Sequence, residues 1–460
     1  MEIQARFAHE KINHTVDTDE HLVLSITAPT LDWVKQRPKL CVLPVIDLSG
    51  SMRGPKLEYA KRSLLKLIEH LAPGDLCGLY GFATHLRKLV EPQAITPELK
   101  VQLKKVISDL EVVGGTNFSA GLLGGIQALK LLDLPVSFKQ RVIMFTDGQP
   151  TDGITDTDAI LKMMKEAVGN VTVSAFGYGN VGGGVWDGCD QEFLTELSKQ
   201  ANGNYAYVKD PDDALAAFGK ELGGLLSSYA SDIVIEVEPA NGHQITKVVT
   251  DVPFEEDVTG TYEIRLADLL AEETRHLVLQ TKLAKQPKVF PRAATVFNIK
   301  MTYSTLTQAG VRSTETAEAK AKVQFVKADD VQVEANKELD SIIGLAQMIR
   351  TQIEAEQNAK AGDFQKASSL MSAMSDHLQH RGLDNLGSLA HNIGQRLSSS
   401  HTYTSSAGYL GSMRSAGTRA YAVSNLDADA QRDLGGLVQL NNSVQASLVN
   451  AFSTTPKTSK

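Results

Sequence analysis

The sequence predicts an α/β protein built around a Rossmann-like, doubly wound and mostly parallel sheet. Between residues 39 and 228, short apolar runs alternate with segments whose apolar residues recur at the helical period. The runs Leu40–Ile46 and Arg141–Thr146 show no polar alternation, which is typical of strands that are covered on both faces. Strands separated by helices of this length favour a parallel sheet with helices on both sides.

Strands and helices largely alternate along this region. The strand Leu40–Ile46 precedes a helix that Pro55 opens, since proline is favourable in a first helical turn. The strand Asp75–Phe82 comes next, with Leu86–Val90 as its hairpin partner. The remaining predicted elements are helices at 97–110 and 120–132, a strand at 141–146, a helix at 157–167, a strand at 171–176, a helix at 191–200, a strand at 204–208 and a closing helix at 210–227.

The segments on either side of this region have a different pattern of predicted strands and helices. Residues 229–327 contain short strands spaced by turns, which is the pattern of a β-sandwich. Residues 1–38 share that strand pattern. We therefore expect the N-terminal strands to join the sandwich, although the α/β domain at 39–228 separates them from it in the sequence. Residues 328–398 predict a helical region whose two apolar stripes form a hairpin. Residues 399–460 are rich in Ser, Gly and Ala and predict a flexible tail.

Composition excludes several classes of function. The 460 residues carry a net charge of −8 with no basic cluster, so a nucleic-acid footprint is not expected. The 3 cysteines form no CxxC pair, which excludes zinc ribbons, and their odd number fits a reducing compartment. Neither a signal peptide nor an apolar run of about 20 residues is found, so the sequence predicts a cytoplasmic protein without a membrane span.

Oxygen-bearing side chains follow two of the buried strands. Asp47, Ser49 and Ser51 come directly after the first strand, and Asp147 ends the third. Thr116 lies at the tip of a loop between two helices. Because parallel strands end at the same edge of a sheet, we expect these side chains to meet there. Two carboxylates and three hydroxyls form an all-oxygen set, which suits a hard cation such as Mg²⁺.

The same residues carry a family resemblance. With the surrounding letters DLSGSM, GGTN and FTDG, they resemble the metal-ion-dependent adhesion site, or MIDAS, of von Willebrand factor A domains, over about residues 39–228. The resemblance implies Mg²⁺, with Mn²⁺ or Ca²⁺ as alternatives. It implies hydroxyl ligands from Ser49, Ser51 and Thr116, and direct or water-mediated ligation by Asp47 and Asp147. The whole chain resembles proteins that carry this domain with a flanking β-sandwich and a helical region.

The resemblance implies a metal-dependent protein-interaction module, used in adhesion or as a scaffold, whose metal takes an Asp or Glu from a partner protein. An alternative is a structural or assembly subunit in which the metal only stabilises the loops. A third hypothesis is a metal-dependent hydrolase, but no catalytic residue is predicted. Ser49 stands where a DxD phosphatase would carry its second carboxylate, and it lacks Gly-x-Ser-x-Gly surroundings.

Two other patterns are weaker candidates for sites. The glycine-rich segment at 176–184 follows a strand, but no helix begins at its glycines, as a nucleotide fingerprint requires. His377 and His380 are spaced one helical turn apart but lack a third ligand. Asp152 is expected to be a turn residue rather than a ligand, and Trp186 is a candidate contact for a partner.

Overall fold

The computed structural model describes residues 1–30, 39–135, 138–179, 189–208, 227–240, 242–306, 312–332, 334–406 and 409–411, together with Gly219, Glu221, Gly223, Gly224, Met413 and Arg414. The strands in these ranges are β1 Glu2–Phe7, β2 Lys11–Asn13, β3 Thr18–Thr27, β4 Lys39–Asp47, β5 Leu76–Phe82, β6 Leu86–Ala94, β7 Phe138–Thr146, β8 Thr172–Tyr178, β9 Asn202–Val208, β10 Ser228–Pro239, β11 Gln244–Val248, β12 Phe254–Glu256, β13 Tyr262–Leu266, β14 Leu269–Leu270, β15 Thr274–Leu283, β16 Ala294–Leu306 and β17 Arg312–Val326. The helices are α1 Pro55–His70, α2 Pro97–Ser108, α3 Phe118–Lys130, α4 Thr157–Ala167, α5 Gln191–Gln200, α6 Lys337–Lys360, α7 Phe364–His380, α8 Asp384–Arg396 and α9 Ser400–Ser405.

The α/β part of the molecule is a six-stranded sheet with the order β6-β5-β4-β7-β8-β9. Its neighbouring strands are parallel except for β5 and β6, which form an antiparallel hairpin at one edge. Strand β4 lies inside the sheet between β5 and β7, and its residues from Leu40 to Ile46 are buried. The predicted mixed α/β fold with a mostly parallel sheet is therefore confirmed.

Both faces of this sheet are covered, and successive residues of β4 serve opposite faces. Leu40, Val42 and Ile46 belong to a core that includes apolar residues of α1 and α2. Leu43 and Val45 belong to a second core, to which α3, α4 and α5 contribute. This double coverage explains why the sequence of β4 shows an unbroken apolar run.

Two further β-sheets share a separate hydrophobic core. One sheet has the order β1-β3-β15-β11, and the other has the order β12-β13-β10-β16-β17-β2, with β14 paired to β10. Strand β3 lies between β1 and β15, where Leu24 is opposite Leu277. Strands from before and after the α/β sheet therefore fill the same core, which includes Leu24, Ile235, Leu277 and Phe297.

The predicted C-terminal helical region is present, but it is not the two-helix hairpin that the sequence analysis expected. Three helices, α6, α7 and α8, pack together in it. At the two turns that connect these helices, Gly362 and Gly382 have φ angles of 85° and 74°. This left-handed conformation favours glycine at helix ends. The sequence prediction included α8 in the helical region but did not set it apart as a third helix. Two glycines of α8, Gly387 and Gly394, lie where its backbone approaches α7 closely.

Several predicted features fall wholly or mainly on residues that the structure does not describe. They include the closing helix at 210–227, most of the glycine-rich loop at 176–184, Trp186 and the end of the tail from residue 415 onward. The described beginning of the predicted tail contains the short helix α9. None of the helices in the described ranges has the length and apolar character needed to cross a membrane.

Candidate metal centre

Asp47 is the last residue of β4 and is fully buried. One carboxylate oxygen, Oδ1, accepts the backbone N–H of Ser49 at 2.8 Å. The other, Oδ2, accepts the hydroxyl of Thr146 at 2.8 Å. Thr146 ends β7, the parallel neighbour of β4, so the adjacent strand end holds the Asp47 side chain in position.

The two serines of the motif occupy a turn that begins directly after Asp47. Residues Gly50–Met52 form one turn of 3-10 helix, with Ser49 as the residue before it. This turn brings the hydroxyl oxygens of Ser49 and Ser51 to within 2.9 Å of each other. Ser49 is buried, whereas Ser51 is exposed. The hydroxyl pair therefore runs from the buried carboxylate toward solvent.

The loop that carries Thr116 lies against this turn. The N–H of Gly50 donates to the carbonyl of Gly114 at 3.2 Å, and the N–H of Val113 donates to the carbonyl of Leu48 at 2.5 Å. On its other side, the N–H of Thr116 donates to the hydroxyl of Thr151 at 3.0 Å. Thr116 is 3% exposed, so its side chain lies inside the cluster of loops at this edge of the sheet.

Asp147 follows the end of β7 and is 2% exposed. Its Oδ2 accepts a hydrogen bond from Nζ of Lys56 at 3.2 Å. Its Oδ1 is buried and has no hydrogen-bond partner among the described residues. A buried carboxylate oxygen without a partner is costly, because it has lost its water and gained no donor in exchange.

The electrostatics of this cluster favour a cation. Burial, and next the negative charge of Asp147, raise the pKa of Asp47 to about 7, although the hydrogen bonds from Ser49 and Thr146 oppose this shift. Two carboxylates in one buried site repel each other unless positive charge lies between them. The unpartnered Oδ1 of Asp147, the hydroxyl pair and the oxygen-only donor set therefore fit a hard divalent ion.

The structure also identifies two participants that the sequence analysis missed. Thr146 supports Asp47, and Lys56 neutralises part of the charge of Asp147. Lys56 lies on the buried face of α1 with Ala60, Ser63 and Leu67, but only the structure shows this burial. Asp152 behaves as a turn residue, since its N–H donates to the carbonyl of Thr116, while Asp156 caps α4.

Among the residues that the structure describes, the other histidine and acidic clusters offer no comparable site. Nε2 of His377 lies 3.3 Å from a guanidinium nitrogen of Arg381, and Nδ1 of His380 contacts the carbonyl of Asp376 in its own helix. Within the described ranges, no group of three or more His, Cys, Asp or Glu side chains is arranged to hold a metal. The candidate centre therefore depends on its hydroxyls as much as on its two carboxylates.

Comparison with known proteins agrees with this architecture. The family model described as "von Willebrand factor type A domain" matches residues 42–149. A protein of Synechocystis sp. described as uncharacterized is 29% identical over 369 residues, covering 77% of this chain and 82% of that protein. Human inter-alpha-trypsin inhibitor heavy chain H1 is 31% identical over 203 residues, but these cover only 43% of this chain and 21% of the relative.

Solved structures extend the likeness of fold to most of the chain. A von Willebrand factor type A protein from Catenulispora acidiphila superposes with a TM-score of 0.63 at 17% identity, covering 84% of this chain and 88% of that one. The ArnB paralog VWA2 from Sulfolobus acidocaldarius gives a TM-score of 0.54 at 12% identity, covering 91% and 99%. Residues 42–149 therefore match the von Willebrand factor type A domain family, and the α/β part of the chain shares the fold of these solved structures.

Proposed function

We propose that this protein is a metal-dependent protein-interaction module and not an enzyme. Asp47, Ser49, Ser51, Thr116 and Asp147 would hold a divalent cation, Mg²⁺ in the first instance, with Mn²⁺ or Ca²⁺ as alternatives. The bound cation would supply Lewis acidity toward a carboxylate of a partner protein. The observation that carries the proposal is the buried, unpartnered Oδ1 of Asp147 at the strand edge that also holds Asp47.

The distribution of burial supports a site that is open to a partner. The carboxylates lie at the base of the cluster, and the exposed Ser51 marks its solvent side. Neutral hydroxyls donate less negative charge to a cation than carboxylates do, which leaves the cation able to attract a further anion. A site of this kind is suited to bridging two proteins through a partner's Asp or Glu.

The test combines metal binding with partner capture. The full chain and a Ser49→Ala/Asp147→Ala double variant are used to purify partners from a lysate, once with Mg²⁺ and once with EDTA. We expect capture only by the wild type and only with Mg²⁺. A matched control is Ser108→Ala/Asp158→Ala, which removes an exposed hydroxyl and an exposed carboxylate from the same domain.

The outcomes separate this proposal from the alternative of an assembly subunit. If EDTA lowers the thermal stability but leaves partner capture intact, the metal only stabilises the loops. Calorimetric titration of Mg²⁺ into both proteins establishes whether the wild type binds the cation and whether binding requires Ser49 and Asp147. Turnover of generic phosphoesters with Mn²⁺ would contradict the non-enzymatic assignment.

A further inference from the structure

Lys56 is a buried lysine next to the candidate metal centre. It lies in the first turn of α1, directly after Pro55, and is 7% exposed. Its ammonium group reaches Oδ2 of Asp147 at 3.2 Å, and this contact is the ion pair that the structure shows for it. Burying an ammonium group is costly unless it is paired, so Asp147 accounts for its position.

A count of the charges in this cluster shows what Lys56 changes. Asp47 and Asp147 contribute two negative charges when both are ionised, and Lys56 contributes one positive charge. With a divalent cation added, these groups sum to +1, and one carboxylate from a partner brings the sum to zero. Without Lys56, the cation-loaded cluster would already be neutral before any partner arrived, and a carboxylate would leave it at −1.

We propose that Lys56 sets the charge balance of the metal centre, so that divalent cations bind weakly alone and tightly together with a carboxylate ligand. This inference rests on the proposed metal centre. The ammonium group and the divalent cation draw on the same carboxylate of Asp147, so each weakens the other's interaction with it. The coupling is reciprocal, because a carboxylate that tightens cation binding is itself bound more tightly by the loaded site.

The direct test measures Mn²⁺ affinity by electron paramagnetic resonance on the full chain. Lys56→Met removes the charge with little change in length, and we expect it to bind Mn²⁺ at least about tenfold more tightly than the wild type does. Lys56→Gln keeps a donor for Asp147 without the charge, and we expect the same direction. Lys56→Arg keeps the charge and should resemble the wild type.

Lys61→Met is the matched control on the same helix. The ammonium group of Lys61 contacts the carbonyl of Ser108 and the exposed carboxylate of Glu58, away from the metal centre. We expect its Mn²⁺ affinity to equal that of the wild type. Because removal of Lys56 leaves two buried carboxylates without a cation, all variants are purified with Mg²⁺ before exchange, and Lys56→Gln replaces Lys56→Met if the latter does not fold.

A second readout uses acetate as the carboxylate probe. Mn²⁺ affinity is measured in acetate and in chloride at equal ionic strength. We expect acetate to increase the affinity of the wild type and to have a smaller effect on Lys56→Met and Lys56→Gln. These readouts report on charge coupling, which a purely structural role of Lys56 would leave unchanged.

The results distinguish failure of this inference from failure of the proposed function. If the wild type and both neutral variants bind Mn²⁺ equally, or respond equally to acetate, Lys56 does not set the charge balance. If neither the wild type nor the Lys56 variants bind Mn²⁺, the metal centre itself is wrong, and the inference is wrong with it.

Discussion

Acidification should release the divalent cation through protonation of Asp47. Burial and the charge of Asp147 raise the pKa of this carboxyl group to about 7 in the metal-free protein. Below that pH, a divalent cation has to displace a proton before Asp47 can serve as a ligand. Displacement of one proton predicts that the apparent affinity falls about tenfold for each unit of pH below about 7 and levels off above it.

Isothermal titration calorimetry measures both the affinity and the protons released. Mg²⁺ or Mn²⁺ is titrated into the protein in pairs of buffers whose ionisation enthalpies differ, at several pH values. We expect release of about one proton per cation below pH 7, decreasing toward zero above it. An affinity that is flat across this range, or binding without proton release, would refute the assignment of Asp47 as a buried, protonatable ligand.

The same carboxyl group predicts the pH dependence of stability without metal. Its pKa in the unfolded chain is near 3.8 and in the folded protein about 7, so between these values the folded state binds more protons. Its contribution to the free energy of unfolding therefore decreases as the pH rises through this window. Thermal unfolding of the wild type and Asp47→Asn in EDTA isolates this contribution as the difference between them. A difference that does not change with pH would contradict the reasoning.

Buried contacts outside the metal centre give three further expected outcomes. Glu221→Ala leaves the buried guanidinium of Arg141 without its carboxylate at 2.7 Å, so the free energy of unfolding should fall by about 3–5 kcal/mol. Chemical denaturation measures this loss. Adding Arg141→Met to the Glu221→Ala variant should restore part of the lost free energy of unfolding. Leu24→Ala truncates a fully buried residue of β3 and should destabilise the β-sandwich by about 2–5 kcal/mol in calorimetry. Leu24 precedes the α/β domain in the sequence, whereas most strands of the sandwich follow that domain. His243, whose pKa burial lowers from 6.5, accepts the N–H of Ala284 at 3.0 Å, so stability should fall as the pH drops below about 6.5, and His243→Gln should weaken that dependence.

The sequence was informative where local pattern and tertiary environment agree. The unbroken apolar run of β4 predicted a strand that is covered on both faces, and α1–α3 packing on its two sides explains the run. The polar residues after that run, together with Asp147 after β7, predicted four oxygen-bearing side chains at one edge, because parallel strands end together. Thr116 was added to this prediction as a residue of a neighbouring loop, which the strand-end rule does not cover.

The tertiary structure decided the features that depend on distant neighbours. The helix α8 was predicted only as part of a helical region and not as a separate third helix. Its glycines have low helix propensity, and packing against α7 compensates for that. The strands that pair with β3 were not predicted from the sequence either. An apolar alternating strand specifies a buried face but not which strand lies beside it.

The sequence by itself determined the α/β domain and the residue types at its strand ends, because both follow from short-range pattern. The pairing of Lys56 with Asp147 was decided by tertiary structure alone, since the two residues are separated by 91 positions. A lysine in a first helical turn ordinarily faces solvent. Only the close approach of α1 to the end of β7 makes its charge part of the centre, because the ammonium group is stable in that buried position only beside a carboxylate.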